Sequence, residues 1–316
     1  MTSTASRTEY TKRMHRVLDH IDQHLDRALE LGELAEVAHF SAFHFHRLFS
    51  VWMGETLGDY LRRRRLEVAA MRLAAQPRLP VLSVALSVGF GSAEAFARAF
   101  RSRFGCTATA WRRQEAQRRA GRRLAAADSN PGQALRKPDQ EAQPHRLDHE
   151  GSNRSAEELV MKVKLIERQP VKVAYLRHIG PYGPALSGFW QKVVYPWIAS
   201  NDWLDRPRYG ISYDDPAISA PEKCRYDACV EVPQDFLPTG QSLVTTIPGG
   251  RYAMSGFSGP MAGIGEAWDA LLRDWLPASG LQLDARPCFE YYAPGAGYDA
   301  QTGLFSFDIV IPVVPL

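Results

Sequence analysis

Cysteine is scarce in this chain: four residues in 316, at positions 106, 224, 229 and 288. They show neither the paired spacing of a zinc site nor a disulfide framework, which implies a reducing, cytoplasmic setting. Also missing is any run near the ~20 apolar residues that span a bilayer. The opening MTSTASRTEYTKRMHR has no apolar signal core, so neither a membrane nor secretion is indicated. No Ser-His-Asp spacing, metal-ligand set or phosphate loop stands out, so no catalytic residue, metal or cofactor is expected. His44 and His46 stand two apart on a helical stretch and cannot face one ion. Between 126 and 158 almost nothing large and apolar occurs, while Pro131, Pro138 and Pro144 do. Such a segment cannot bury enough surface to offset its ordering entropy, and it reads as a flexible linker.

What is present divides at that linker. The length suggests about two domains. Residues 1–127 carry 21 Lys and Arg against 12 Asp and Glu, and the remainder carries 17 against 23. A basic half beside an acidic one points to a polyanion partner for the first alone, unless the arginines merely solvate a surface. Residues 9–125 have apolar positions at helical spacing, such as Val17, Leu18, Ile21 and Leu25. From Met161 the period changes to two, with helical stretches near 184–199 and 260–276.

Each half repeats itself. ELAEVAHFSAFHFHRLFSVWMG (33–54) lies over SVALSVGFGSAEAFARAFRSRFG (83–105), matching Ala35 with Ala85, Phe40 with Phe90, Phe45 with Phe96, Arg47 with Arg98 and Gly54 with Gly105. Each unit reads as a short helix, a tight turn and a longer helix, with the small alanine at the crossing, as a helix-turn-helix requires. Gly89 suits the left-handed turn position, and His39 holds that place in the first unit. Between the units, Thr56 and Asp59 form a capping box for a helix carrying Arg62 to Arg65. Its length, roughly 30 Å, suits two reading helices one DNA turn (about 34 Å) apart. In the second half, VAYLRHIGPYGPALSGFWQKVVYPWI (173–198) lies over YAMSGFSGPMAGIGEAWDALLRDWL (252–276). Gly180-Pro181 matches Gly259-Pro260, and Trp190 and Trp197 match Trp268 and Trp275. Two strand-helix-strand-strand units joined into one sheet, with both helices on one face, are expected.

The first half resembles the AraC/XylS family of regulators over about 10–115, through both units, the long central helix and the closing Gly105, Thr107, Trp111 and Arg112. The second half resembles the GyrI-like effector-binding domain over about 160–316, through RHIGPY (177–182), the Gly-Pro echo and FEYY (289–292). This domain order resembles Rob-type regulators. The implied architecture is multidomain: an all-α double helix-turn-helix domain (8–118), a linker (119–159) and an α+β small-molecule domain of two fused repeats (160–316). The implied partners are double-stranded DNA, a small effector and RNA polymerase. With so loose a tether, the effector is expected to act through oligomer state, polymerase contact or availability of the DNA domain.

By that resemblance the start of each second helix enters the major groove. The first unit offers Phe43, His44, His46 and Arg47, with Arg47 able to make two hydrogen bonds to guanine or to hold a phosphate. The second offers Ser92, Glu94, Ala95 and Arg98, which suit phosphate anchoring better than base discrimination. Within Arg62–Arg65 only outward-facing side chains can reach phosphate. For the effector, Glu290 is the expected polar group, with Tyr292, Tyr175, Trp190, Tyr209, Phe257 and Trp268 as aromatic walls. A carboxylate among rings suits a lipophilic cation. Two other readings stay open for the second half: a hydrolase of reactive compounds, with Glu290 as base and Tyr292 or Tyr175 as acid, and a protein-recruiting module without a ligand.

Overall fold

The computed structural model describes residues 2–128 and 162–316, with side chains over 7–118 and 162–316. The first part is all helix: α1 (Thr2–Gln23), α2 (Leu31–Val37), α3 (Ala42–Met53), α4 (Leu57–Ala75), α5 (Val81–Ser87), α6 (Ala93–Phe104) and α7 (Ala108–Asp128). The helix α7 continues past residue 118, and the rest of the expected linker lies outside the described residues. No described helix is long and apolar enough to cross a membrane.

Local chemistry explains the helix boundaries. The hydroxyls of Ser41, Thr56 and Ser92 accept from the backbone N–H three residues on, satisfying donors that the first turn leaves unpaired. Gly54 and Gly105 end α3 and α6 in the left-handed region. Both tight turns are left-handed as well, at His39 (φ 54°) and Gly89 (φ 81°). A side chain at Gly89 would also meet the Leu25 carbonyl at 2.2 Å, because the second unit's turn sits against the end of the first helix. Ala35 and Ala85 are buried at the α2/α3 and α5/α6 crossings. The long α4 serves two cores. Its Leu57 and Tyr60 pack with Phe45 and Phe49, while Leu66, Ala69, Ala70 and Leu73 pack with Phe96 and Phe100.

The second part is a curled antiparallel sheet. Its strands are β1 (Val163–Arg168), β2 (Val171–Ile179), β3 (Arg208–Ser212), β4 (Arg225–Glu231), β5 (Leu243–Ile247), β6 (Gly250–Gly259), β7 (Leu281–Leu283), β8 (Phe289–Tyr292), β9 (Gly297–Tyr298) and β10 (Phe305–Pro315). The order β1-β6-β10-β8-β3-β4-β2-β5 places one repeat (β6, β8, β10) beside the other (β2, β3, β4), joined at β8–β3. One helix follows each leading strand. The first is α8 (Pro184–Phe189), a π-helical turn (Trp190–Val194) and α9 (Tyr195–Ser200); the second is α10 (Ile264–Asp269), a π-helical turn (Ala270–Trp275) and α11 (Leu276–Ala278). Both helices pack on the same sheet face, against Tyr226, Ala228 and Val230 on one side and Phe307, Ile309 and Ile311 on the other.

The opposite sheet face receives the helical part directly. Arg64 of α4 bonds Asp22 of α1 at 2.8 Å and Asp214 at 2.6 Å, and Arg225 of β4 bonds the same two aspartates at 2.7 and 3.0 Å. Beside this square, Asp19 pairs with Arg177 at 2.7 Å and accepts from the Tyr175 hydroxyl at 2.5 Å. Lys223 reaches Glu55 at 2.6 Å, and the Gln76 amide donates to the Leu283 carbonyl. The two halves therefore meet directly, through two buried arginines that each bond one aspartate from either side.

The interface makes stability sensitive to acid. Burial, reinforced by the positive charge of Arg177, holds His15 at about 3, far below its ordinary 6.5. The unfolded chain therefore takes up that proton first, so this contribution is complete above about pH 6.5 and is lost as pH falls toward 3. Burial would raise the Asp22 carboxyl, but Arg225 and Arg64 outweigh it and hold it at about 2. Its contribution is full above 3.8 and is lost as pH falls toward 2. The unfolding free energy from urea titration is expected to drop between pH 6.5 and 4.5, with a slope approaching about 1.4 kcal/mol per pH unit. A His15→Leu chain should lose most of that slope; an unchanged slope would contradict the assignment.

Candidate functional site

The leading end of α3 is uncovered. Phe43 is 69% exposed, and His44, His46 and Arg47 are exposed around the buried Phe45. The Arg47 guanidinium lies over the Phe43 ring at 6.0 Å, and His44 meets the Ser41 hydroxyl at 3.0 Å. On α6, Glu94 and Arg98 are exposed, while Ala95 is half-buried. Ser92 is half-buried too, and its hydroxyl is committed to the Ala95 N–H at 3.1 Å, so it shapes the helix start. The arginine run of α4 divides by face. Arg62 is exposed; Arg63 pairs with Glu55 and Glu67; Arg64 joins the buried square; Arg65 donates to the Leu25 and Arg27 carbonyls. Arg62 alone of the four is turned outward.

A second site lies on the helix face of the sheet. Glu290 is only 7% exposed. Its Oε2 accepts from the Tyr292 hydroxyl at 2.8 Å and the Tyr226 hydroxyl at 3.1 Å, and its Oε1 from the Trp268 indole at 3.4 Å. Burial pushes its carboxyl above the ordinary value, and those donors pull it partly back. Facing Glu290 across the β3–β8 pairing is Gly210, where a Cβ would stand 1.9 Å from the Tyr226 hydroxyl and 2.8 Å from Glu290 Oε2. Glycine is therefore what lets Tyr226 reach the carboxylate. Trp190 packs on Tyr292 (5.9 Å between rings), Tyr292 on Phe307 (5.1 Å) and Phe307 on Phe257 (5.0 Å), forming an aromatic row. Beside the row opens a cavity of about 150 Å³ lined by Trp190, Tyr195, Arg208, Met261, Tyr292 and Phe305, among others.

The expected walls separate accordingly. Trp190 and Tyr292 line the cavity; Glu290 and Trp268 sit behind that wall, and Phe257 extends the row. Tyr175 and Tyr209 do not belong to the cleft. Both point to the opposite sheet face, where Tyr209 pairs across from Tyr291 and its hydroxyl bonds Glu231 and Arg168, each at 3.1 Å. Tyr175 is spent on Asp19, which also removes it as an acid partner for Glu290. The reason is the pleat: alternate residues of a strand face opposite sides. Tyr226, Gly210, Arg208 and Tyr195 were not anticipated. A glycine inside a strand, between Tyr209 and Ile211, is a signal of close approach, and it could have located the site.

A family model described as a GyrI-like small molecule binding domain matches residues 161–314, and one described as a helix-turn-helix domain matches 34–114. Over 92 residues the chain is 36% identical to the regulatory protein SoxS of Escherichia coli (strain K12), covering 29% of this chain and 85% of that one. Over 146 residues it is 33% identical to the DNA gyrase inhibitor of Cronobacter turicensis, covering 45% and 90%. A crystal structure of a transcriptional regulator with an AraC-type DNA-binding domain from Chromobacterium violaceum is similar at a TM-score of 0.32 and 23% identity, covering 36% of this chain and 98% of that one.

Replacing Gly210 should strain the second site. Gly210→Ala is expected to destabilise the chain by about 1–3 kcal/mol in urea denaturation, through overpacking and loss of the Tyr226–Glu290 bond. In a Tyr226→Phe background the same change should cost distinctly less. Additive costs would show that Tyr226 is not what demands glycine there.

Proposed function

This chain belongs to the AraC-type DNA-binding regulators that carry a GyrI-like small-molecule-binding domain, and from that we propose how its parts work. The DNA-reading unit is 8–118, the tether 119–159 and the effector unit 160–316. The outer faces of α3 and α6 enter the major groove, Phe43, His46 and Arg47 meeting base edges and Glu94 and Arg98 the second half of the site. Arg62 holds phosphate. The observation that carries this reading is the exposure of the α3 and α6 leading ends, while α1 and α4 are the surfaces docked on the sheet. The effector is a small lipophile received by the cavity beside Trp190 and Tyr292. The chain binds this ligand without turning it over, acts in the cytoplasm and hands its signal to RNA polymerase.

Docking supplies a route for that signal. Strand β4 alternates between the two sites: Tyr226 faces Glu290, while Arg225 and Asp227 grip Asp22 and Arg177 on the other side. A ligand that shifts Tyr226 therefore strains the strand that holds the helical part. Two equilibria, cleft occupancy and docking, share one element, which is the physical requirement for coupling between sites.

Fluorescence anisotropy with a duplex selected from random sequence tests the DNA reading. Arg47→Ala should weaken binding by about 1–3 kcal/mol if Arg47 reads a base, and lower the salt slope by about 1 if it holds a phosphate. Unchanged affinity and slope would overturn the groove assignment. For the route, Asp22→Asn should raise proteolytic cleavage between the two halves of the full chain. Unaltered cleavage would mean that the ion-pair square does not hold the halves together.

A further inference from the structure

Arg208 opens β3 on the cleft face, two residues before Gly210, and is only 6% exposed. It lines the cavity. Its Nη1 donates to the Tyr195 hydroxyl at 3.3 Å, its guanidinium lies over the Tyr195 ring, and its Nη2 donates to the Ala296 carbonyl. Its Nε–H is buried and has no hydrogen-bond partner. Among the described residues no carboxylate stands within ion-pair distance of it. The other buried arginine side chains are treated differently: Arg64, Arg177 and Arg225 each bond two aspartates. Burying a cation without a counter-charge is costly, and a guanidinium presents a fork suited to one planar anion.

We propose that Arg208 is the ligand's charge anchor, and that the effector of this cleft is a small aromatic or alicyclic carboxylate. The inference rests on the cleft being the effector site. Tyr195 and the Ala296 carbonyl take two of the five N–H donors and fix the guanidinium at the cavity wall, and the Nε–H with the second hydrogens of Nη1 and Nη2 remains for a carboxylate. Trp190, Tyr292, Phe305 and Met261 take the apolar body. Glu290 does not compete for this role, because Tyr226, Tyr292 and Trp268 already occupy its oxygens. The positive charge is thus on the cavity wall and the negative charge behind it, the reverse of the arrangement that selects a lipophilic cation.

Calorimetric titration of the full chain with a matched series tests this: 2-naphthoate, 2-naphthylmethanol and 2-naphthylmethylammonium. The carboxylate is expected to bind about tenfold or more tighter than the alcohol, and the ammonium more weakly than either. Arg208→Gln should remove the preference, bringing the carboxylate down to about the level of the alcohol. Arg208→Lys, which keeps the charge but not the fork, should retain part of the preference. A wild-type chain that binds the alcohol or the ammonium as tightly as the carboxylate overturns the anchor but leaves the effector cleft standing. A chain that binds none of the three overturns both. Should Arg208→Gln fail to fold, the wild-type ranking and the Arg208→Lys chain decide the matter.

Discussion

Four charges buried between the two halves, Asp22, Arg64, Asp214 and Arg225, constrain nearly everything else in this molecule. Each arginine bonds both aspartates: each half brings one Arg–Asp pair, and the four meet only when α1, α4, the turn after β3 and the start of β4 are all in place. Such a group contributes less net stability than its short distances suggest, because desolvation offsets the attraction. Its larger effect is on arrangement. Pulling the halves apart breaks the two crossing bonds and returns both pairs to water, whereas sliding them would bury the pairs without those crossing bonds. The contact therefore favours one docked geometry over neighbouring ones.

That geometry divides the surface. With α1 and α4 committed to the sheet, the helices whose first two turns carry Phe43, Arg47 and Arg98 keep those ends free. The sheet is divided in turn by its pleat. One face gives Tyr175, Arg177 and Arg225 to the helical part; the other gives Arg208 and Tyr292 to the cavity wall, with Tyr226 and Glu290 behind it. A sheet one layer thick has no room between its faces for an independent layer, so a change at Tyr226 reaches Arg225 through a single peptide bond. Rigid packing on both sides makes such a strand respond by discrete shifts instead of gradual deformation.

Several features were legible in the residues themselves. The paired helix-turn-helix units follow from fixed-offset matches, since helical burial repeats every three to four residues and caps need particular side chains. Thr56 was legible as a helix cap, while the caps at Ser41 and Ser92 and the ends at Gly54 and Gly105 came from the structure. The two fused repeats of the sheet were legible through Gly180-Pro181 and Gly259-Pro260. Glu290 was legible as an unusual carboxylate among aromatics. Its three donors and its place behind Tyr292 were not, because donors from β4, β8 and α10 meet only after the sheet has closed. Tyr175 and Tyr209 went to the wrong face for a related reason: alternation says which residues share a side within a strand, and it does not say which side is inward.

What the sequence determined alone was local and periodic: two helical units on one rod, two strand-helix-strand-strand units, and a basic half beside an acidic one. These depend on hydrogen bonds, caps and burial patterns that span a few residues. What only the tertiary structure decided was everything that joins distant positions. Asp22 finding Arg225, Gly210 making room for Tyr226, and Arg208 standing at a cavity wall without a carboxylate are examples. The physical reason is that the worth of a charge or a hydroxyl is set by its neighbours and by the water they exclude, and those neighbours arrive from far along the chain.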